Sequence, residues 1–140
     1  MCVLINEIIF VLISLLLSYF DFRTYHIPLI PLYIGIISNI VFSLFFKNPI
    51  CYNVLGMVLM AVFFLFMRII TKGGMGYGDI QYALYCGLIS GFPYFIYTSL
   101  IAALIGIIMH LCFYKKERKV PFIPSMLLGT ICVILFIYKF

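Results

Sequence analysis

Acidic side chains are scarce in this 140-residue chain: Glu7, Asp21, Asp79 and Glu117 are the only four. Asp21 closes the apolar run Val3–Phe20, and Asp79 opens the run Ile80–Ser90. A carboxylate takes or gives a proton, and an ionisable group at the edge of an apolar bundle marks a candidate functional site. Two such groups at one membrane boundary can act together. Glu117 lies among Lys115, Lys116, Arg118 and Lys119 and reads as a solvated or ion-paired loop residue. Glu7, near the far end of the first run, reads as interfacial.

The surroundings of the two aspartates are specific. Asp21 is followed by Phe22-Arg23-Thr24-Tyr25-His26-Ile27-Pro28. Pro28 suits the start of a helix, where its missing N–H costs nothing. Ile27, ahead of a proline, is pushed toward an extended conformation. The connection is therefore short and stiff. Asp79 closes Gly73-Gly74-Met75-Gly76-Tyr77-Gly78-Asp79, too glycine-rich for a stable helix. Gly76 and Gly78 offer backbone that an extended segment can approach as an added strand. A plain glycine turn with an N-capping aspartate accounts for the same residues. A third rigid segment, Lys119-Val120-Pro121-Phe122-Ile123-Pro124, precedes the last apolar run. Pro121 and Pro124 open a helix there.

Other chemistry is poorly supported. Cys2, Cys51, Cys86, Cys112 and Cys132 form no C-x-x-C pair, and most sit in apolar runs as small filler. His26 and His110 are isolated. No zinc, disulfide or cofactor is expected.

The elements that must position the aspartates follow from composition. Hydrophobic residues make up 66% and charged residues 9%, with a mean hydropathy of +1.27. A soluble domain of this size cannot bury that much apolar surface, so lipid is its solvent. We expect an all-α, polytopic membrane protein forming a single domain over residues 1–140. Its runs parse into about six helices: Val3–Phe20, Pro28–Phe46, Ile50–Ile70, Ile80–Ser90, Phe92–Tyr114 and Val120–Tyr138. The first lacks a basic leader and a small-x-small cleavage site, so it reads as a retained span. Gly91-Phe92-Pro93 separates the short fourth run from the fifth; one long kinked helix, giving five spans, is the alternative. Six spans place Arg23, Arg68, Lys72, Lys115, Lys116, Arg118 and Lys119 on one side and Lys47 and Lys139 on the other. The positive-inside rule makes the first side cytoplasmic and both termini external. The basic loops then meet lipid headgroups, and nucleic acid is not a partner. Ala83, Gly87 and Gly91 recur at a spacing of four, as do Ala102 and Gly106, which lets helices approach closely in lipid.

With these segments assembled, the chain resembles the type IV prepilin peptidases, which remove leaders from pilin-like proteins. The resemblance rests on Asp21 ahead of Ile27-Pro28, on Gly76-Tyr77-Gly78-Asp79 as Gly-x-Gly-Asp, and on Pro121-Phe122-Ile123-Pro124 as Pro-Phe-x-Pro, in the family's order. It departs at Leu29, where the family often has a polar residue, and in lacking the paired cysteines of the methylase portion, so no N-methylation is expected. The resemblance implies an aspartic endopeptidase in the bacterial cytoplasmic (inner) membrane, with Asp21 and Asp79 catalytic and Gly76, Gly78, Pro28, Pro121 and Pro124 shaping the site. Two nearby carboxylates cannot both ionise cheaply and so share one proton. The implied partners are a pilin-like precursor and the lipid bilayer; oligomeric state stays open.

Two rivals remain. Presenilin and signal-peptide-peptidase relatives also use Gly-x-Gly-Asp, but Phe20, not tyrosine, precedes Asp21. They are also much longer. A small transporter or proton relay using the same aspartates needs polar groups through the membrane midplane, whereas here they are expected to gather at one face.

Overall fold

The computed structural model describes residues 2–24, 26–45, 50–70, 72, 76–113 and 122–139. These form six helices: α1 (Cys2–Thr24), α2 (Leu29–Phe45), α3 (Ile50–Ile70), α4 (Tyr77–Ser90), α5 (Phe95–Phe113) and α6 (Ile123–Lys139). There is no strand among the described residues. The all-helical expectation is met.

Helix ends differ from the apolar runs for local reasons. α1 continues past Phe20 through Asp21 to Thr24. Polar side chains sustain its last turn: Thr24 donates its hydroxyl to the Phe20 carbonyl at 2.8 Å, and Arg23 donates to the Tyr19 hydroxyl at 2.8 Å. α4 begins at Tyr77, not at Asp79, because Gly76 takes the extended N-cap conformation. α2 begins at Leu29, one residue after Pro28, and α6 at Ile123.

The six-helix parse holds over the five-helix one at Gly91. Its φ of 65° ends α4, its N–H returns to the Gly87 carbonyl, and the Phe92 N–H donates to the Tyr52 carbonyl at 2.9 Å. The break is thereby tied to α3 and is not a kink in one long helix.

Among the described residues, only Leu4–Thr24 in α1 and Ile50–Ile70 in α3 are long and apolar enough to cross a membrane by themselves. Leu29–Phe45, Phe95–Met109 and Ile123–Ile137 are apolar but shorter. Many large apolar side chains on α1, α2, α3 and α5 point outward, among them Leu12, Ile30, Ile69 and Leu111. The interior is built around α4, which packs on α2, α3, α5 and α6. α4 buries residues all round, including Tyr82, Tyr85, Cys86 and Leu88, as a core helix should. It meets α3 backbone to backbone: a Cβ on Gly87 would stand 2.7 Å from the Gly56 carbonyl oxygen. Small residues at spacing four serve here as close-packing positions.

Candidate active site

Helical periodicity carries Asp21 inward. Phe10, Ser14, Leu17, Ser18 and Asp21 form the buried face of α1, at the spacings of three and four that share a helix face. Asp21 is 5% exposed. Its Oδ2 accepts the Ile123 N–H at 3.3 Å, and the Phe122 N–H also faces it. The amino end of α6 thus points at a carboxylate, the favourable pole of a helix for an anion. This is what the segment before the last helix contributes. Pro124 lies half-buried in the first turn of α6, where its missing N–H is no loss. Pro121 lies outside the described residues.

Asp79 sits in the first turn of α4, half-buried. Its Oδ2 accepts the Gly76 N–H at 3.1 Å, so the aspartate does cap its helix, from inside the first turn. Asp79 precedes the fourth apolar run. Burial first, and the Asp21 carboxylate second, push it up to about 6, while the Gly76 N–H pulls the other way. The two aspartates therefore come from the end of α1 and the start of α4 to one region, where the Asp21 carboxylate raises Asp79.

The connection after Asp21 closes over the same turn. His26 donates its N–H to the Thr24 hydroxyl at 3.3 Å, and Pro28 is half-buried ahead of α2. A Cβ added to Gly78 would lie 2.6 Å from Ile27 Cδ1 and 3.2 Å from its Cγ1. The close approach expected at Gly78 is thus made by Ile27 of this same chain. Gly73, Gly74 and Met75 lie outside the described residues. All three predicted segments are accordingly joined: Asp21 to Ile123, Asp79 to Asp21, Gly78 to Ile27.

Of the four acids, Asp21 and Asp79 come to one end of the bundle. Glu7 is on α1 some 21 Å along the axis from Asp21, at about 1.5 Å per residue. Glu117 lies outside the described residues. Among the described residues no group of three His, Cys, Asp or Glu side chains comes together.

Sequence reasoning missed two features. Arg68, read only as a topology marker, stacks its guanidinium 3.7 Å from the Tyr77 ring centroid, inside the glycine motif. The expectation that polar groups gather at one face also needs correction. Ser14, Asn39, Ser43, Ser90, Thr98 and Thr130 are buried inside the bundle. A polar residue within an apolar run was the available signal, as at Asn39 in Ile40's neighbourhood of α2. None of these six side chains carries a charge, so they supply no titrating relay.

The site is a carboxylate pair held at one end of an all-helical bundle by a glycine turn and a helix amino terminus. The profile of the Type IV leader peptidase family matches residues 8–111, and the chain belongs to that family. No curated protein and no solved structure matches it significantly. The match ends before α6, so the contribution of Ile123 and Pro124 rests on geometry alone.

Proposed function

We propose that this chain is a membrane aspartic endopeptidase that removes the leader from type IV pilin-like precursors. It works near the cytoplasmic face of the bacterial inner membrane, with Asp21 and Asp79 as the catalytic pair. The observation that carries this reading is the convergence of two acids at one end of the bundle, Asp21 on the Ile123 N–H and Asp79 on the Gly76 N–H, with burial and then the Asp21 carboxylate pushing Asp79 up to about 6. Two such carboxylates share a proton. The ionised one takes a proton from water as the water oxygen adds to the scissile carbonyl. The protonated one donates toward the carbonyl oxygen, then to the leaving amine. Because the pair titrates as a unit, acid and base are not assigned to single residues. The amino end of α6 fixes Asp21, and Ile27 against Gly78 fixes the turn that carries Asp79.

The substrate's leader lies near the headgroups and its apolar segment in the bilayer. Co-expression with pilin-like precursors tests this: leader loss with the wild-type chain, and none with Asp21→Asn, is the expected outcome. Full processing by Asp21→Asn refutes the mechanism.

A further inference from the structure

Hydrolysis consumes one water for every bond cut, yet the carboxylate pair is set in a bundle with apolar outer faces. The interior of that bundle contains four buried polar side chains whose atoms lack hydrogen-bond partners among the described residues. They are Ser14 Oγ, Tyr82 OH, Ser43 Oγ and both amide atoms of Asn39. Ser14 and Tyr82 are 0% exposed, Asn39 1% and Ser43 2%. A buried donor or acceptor without a partner is costly, and native structures satisfy nearly all such groups with protein or ordered water. Within lipid the demand is stricter.

Their placement relates them to the site. Tyr82 follows Asp79 by one turn on the same face of α4. Ser14 precedes Asp21 by two turns on the buried face of α1. The Tyr82 hydroxyl lies within reach of Ser14 on α1 and of the Cys86 thiol one turn on along α4, though neither contact meets hydrogen-bond geometry. α2 packs on both α1 and α4. Gly35, Asn39 and Ser43, at spacings of four, share its buried face, and Gly35 abuts the Tyr85 ring of α4. The unpartnered atoms therefore line the interior of α1, α2 and α4 at increasing depth: Tyr82 and Ser14 stand about 4.5 and 10 Å along their helices from the aspartates, and Asn39 and Ser43 about 15 and 21 Å along α2 from its first residue, at about 1.5 Å per residue.

We propose that Ser14, Tyr82, Asn39 and Ser43 hold water inside the bundle and that this water supplies the Asp21–Asp79 pair. The inference rests on the peptidase reading for its use, not for its existence. In each turnover the water nearest the pair adds its oxygen to the carbonyl carbon and gives a proton to the ionised carboxylate. The C–N bond then breaks with a proton passing to the amine. The Ser14–Tyr82 hydroxyls hold the replacement while substrate covers the outer approach. Tyr82 is thus a positioning residue.

Two measurements test this. The first needs no catalysis: pulsed hydroxyl-radical footprinting of the wild-type chain in lipid nanodiscs. Water at the site labels Tyr82, while Phe10, equally buried and packed on the Tyr85 ring, stays unlabelled. Asn39→Leu and Ser14→Ala lower the Tyr82 label severalfold. A Tyr82 as unreactive as Phe10 overturns the hydration site. The second is kinetic, with a precursor. Tyr82→Phe keeps volume and removes an orphan hydroxyl, so it folds; kcat falls about tenfold, a difference of about 1.4 kcal/mol in barrier, with KM unchanged. An unchanged kcat, or a change confined to KM, overturns the supply role. Failure of the peptidase reading is distinguishable, since wild type would then cleave nothing whatever the footprint shows.

Discussion

At the scale of single residues, the proposed chemistry turns on two carboxylates with different supports. Asp21 is held by the amino end of α6, Asp79 by the N–H of its own N-cap. Asparagine keeps the volume and one acceptor oxygen of aspartate but cannot titrate. Asp21→Asn and Asp79→Asn are each expected to reduce precursor cleavage by several orders of magnitude, and the double variant to be little worse, because the two act as one unit. Glu7→Gln and Glu117→Gln are expected to remain active in the same assay. Stability should move the other way. A carboxylate raised from 3.8 to about 6 binds its proton more tightly folded than unfolded. Folded stability therefore falls as pH climbs between those values and stays lower above them. Asparagine escapes that loss. Thermal unfolding in detergent should show Asp79→Asn more stable than wild type at pH 8, with the advantage fading below about pH 4. Equal melting temperatures at pH 8 would mean Asp79 is not held in this way. Both aspartates were legible in the sequence because acids are so few and both sit at run boundaries. Ser14, Tyr82 and Asn39 were not, because uncharged polar residues in apolar runs carry no sign of which face they occupy.

At the scale of elements, three short segments converge, and each has an identifiable structural job. The amino end of α6 presents backbone N–H groups to Asp21; Gly76 caps α4; Ile27 packs onto Gly78. The motifs were readable as rigid and glycine-shaped, but their partners were not. Which atoms meet Gly78 depends on how the connection between α1 and α2 packs onto α4, and no spacing encodes that. Helix ends were misplaced by a few residues for a related reason: hydropathy marks where apolar surface ends, whereas hydrogen bonds such as Thr24 to Phe20 mark where the helix ends. The Gly78–Ile27 contact yields a prediction with an internal control. Gly78→Ala places a methyl 2.6 Å from Ile27 Cδ1, so the connection or the first turn of α4 must shift. Since sub-ångström placement matters to such a pair, cleavage should fall by about 10²-fold while insertion and purification stay normal. Ile27→Val removes Cδ1 alone, and combining it with Gly78→Ala should restore a measurable part of the activity. Additive losses in this double-mutant cycle would show that the two residues do not communicate.

At the scale of the whole molecule, the two aspartates share an end of the bundle because consecutive helices run in alternating directions. Asp21 closes α1, and Asp79 opens α4. Arg23, in the last turn of α1, and Arg68, in the last turn of α3, belong to that same end by chain direction, and Lys72 follows. Lys139 closes α6, whose amino terminus touches Asp21, and so lies at the other end. The described basic residues therefore divide as the charge pattern of the sequence implied; Lys47 and the Lys115–Lys119 cluster lie outside the described residues. Six helices were legible because apolar runs separated by Gly, Pro and charge leave few other parses. The central place of α4 was not, since its run is the shortest and least apolar-looking to lipid. Its burial comes from Gly56 and Gly87 drawing α3 against it. If the bundle is oriented by its basic end, that end faces the cytoplasm. Replacing Lys72, which is exposed, with the single cysteine of an otherwise cysteine-free chain puts this to the test. An impermeant maleimide should label Lys72→Cys only after the inner membrane is made permeable. Labelling of intact cells from outside would invert the orientation. It would place the Asp21–Asp79 pair on the external face, where a leader that has not crossed the membrane cannot reach it.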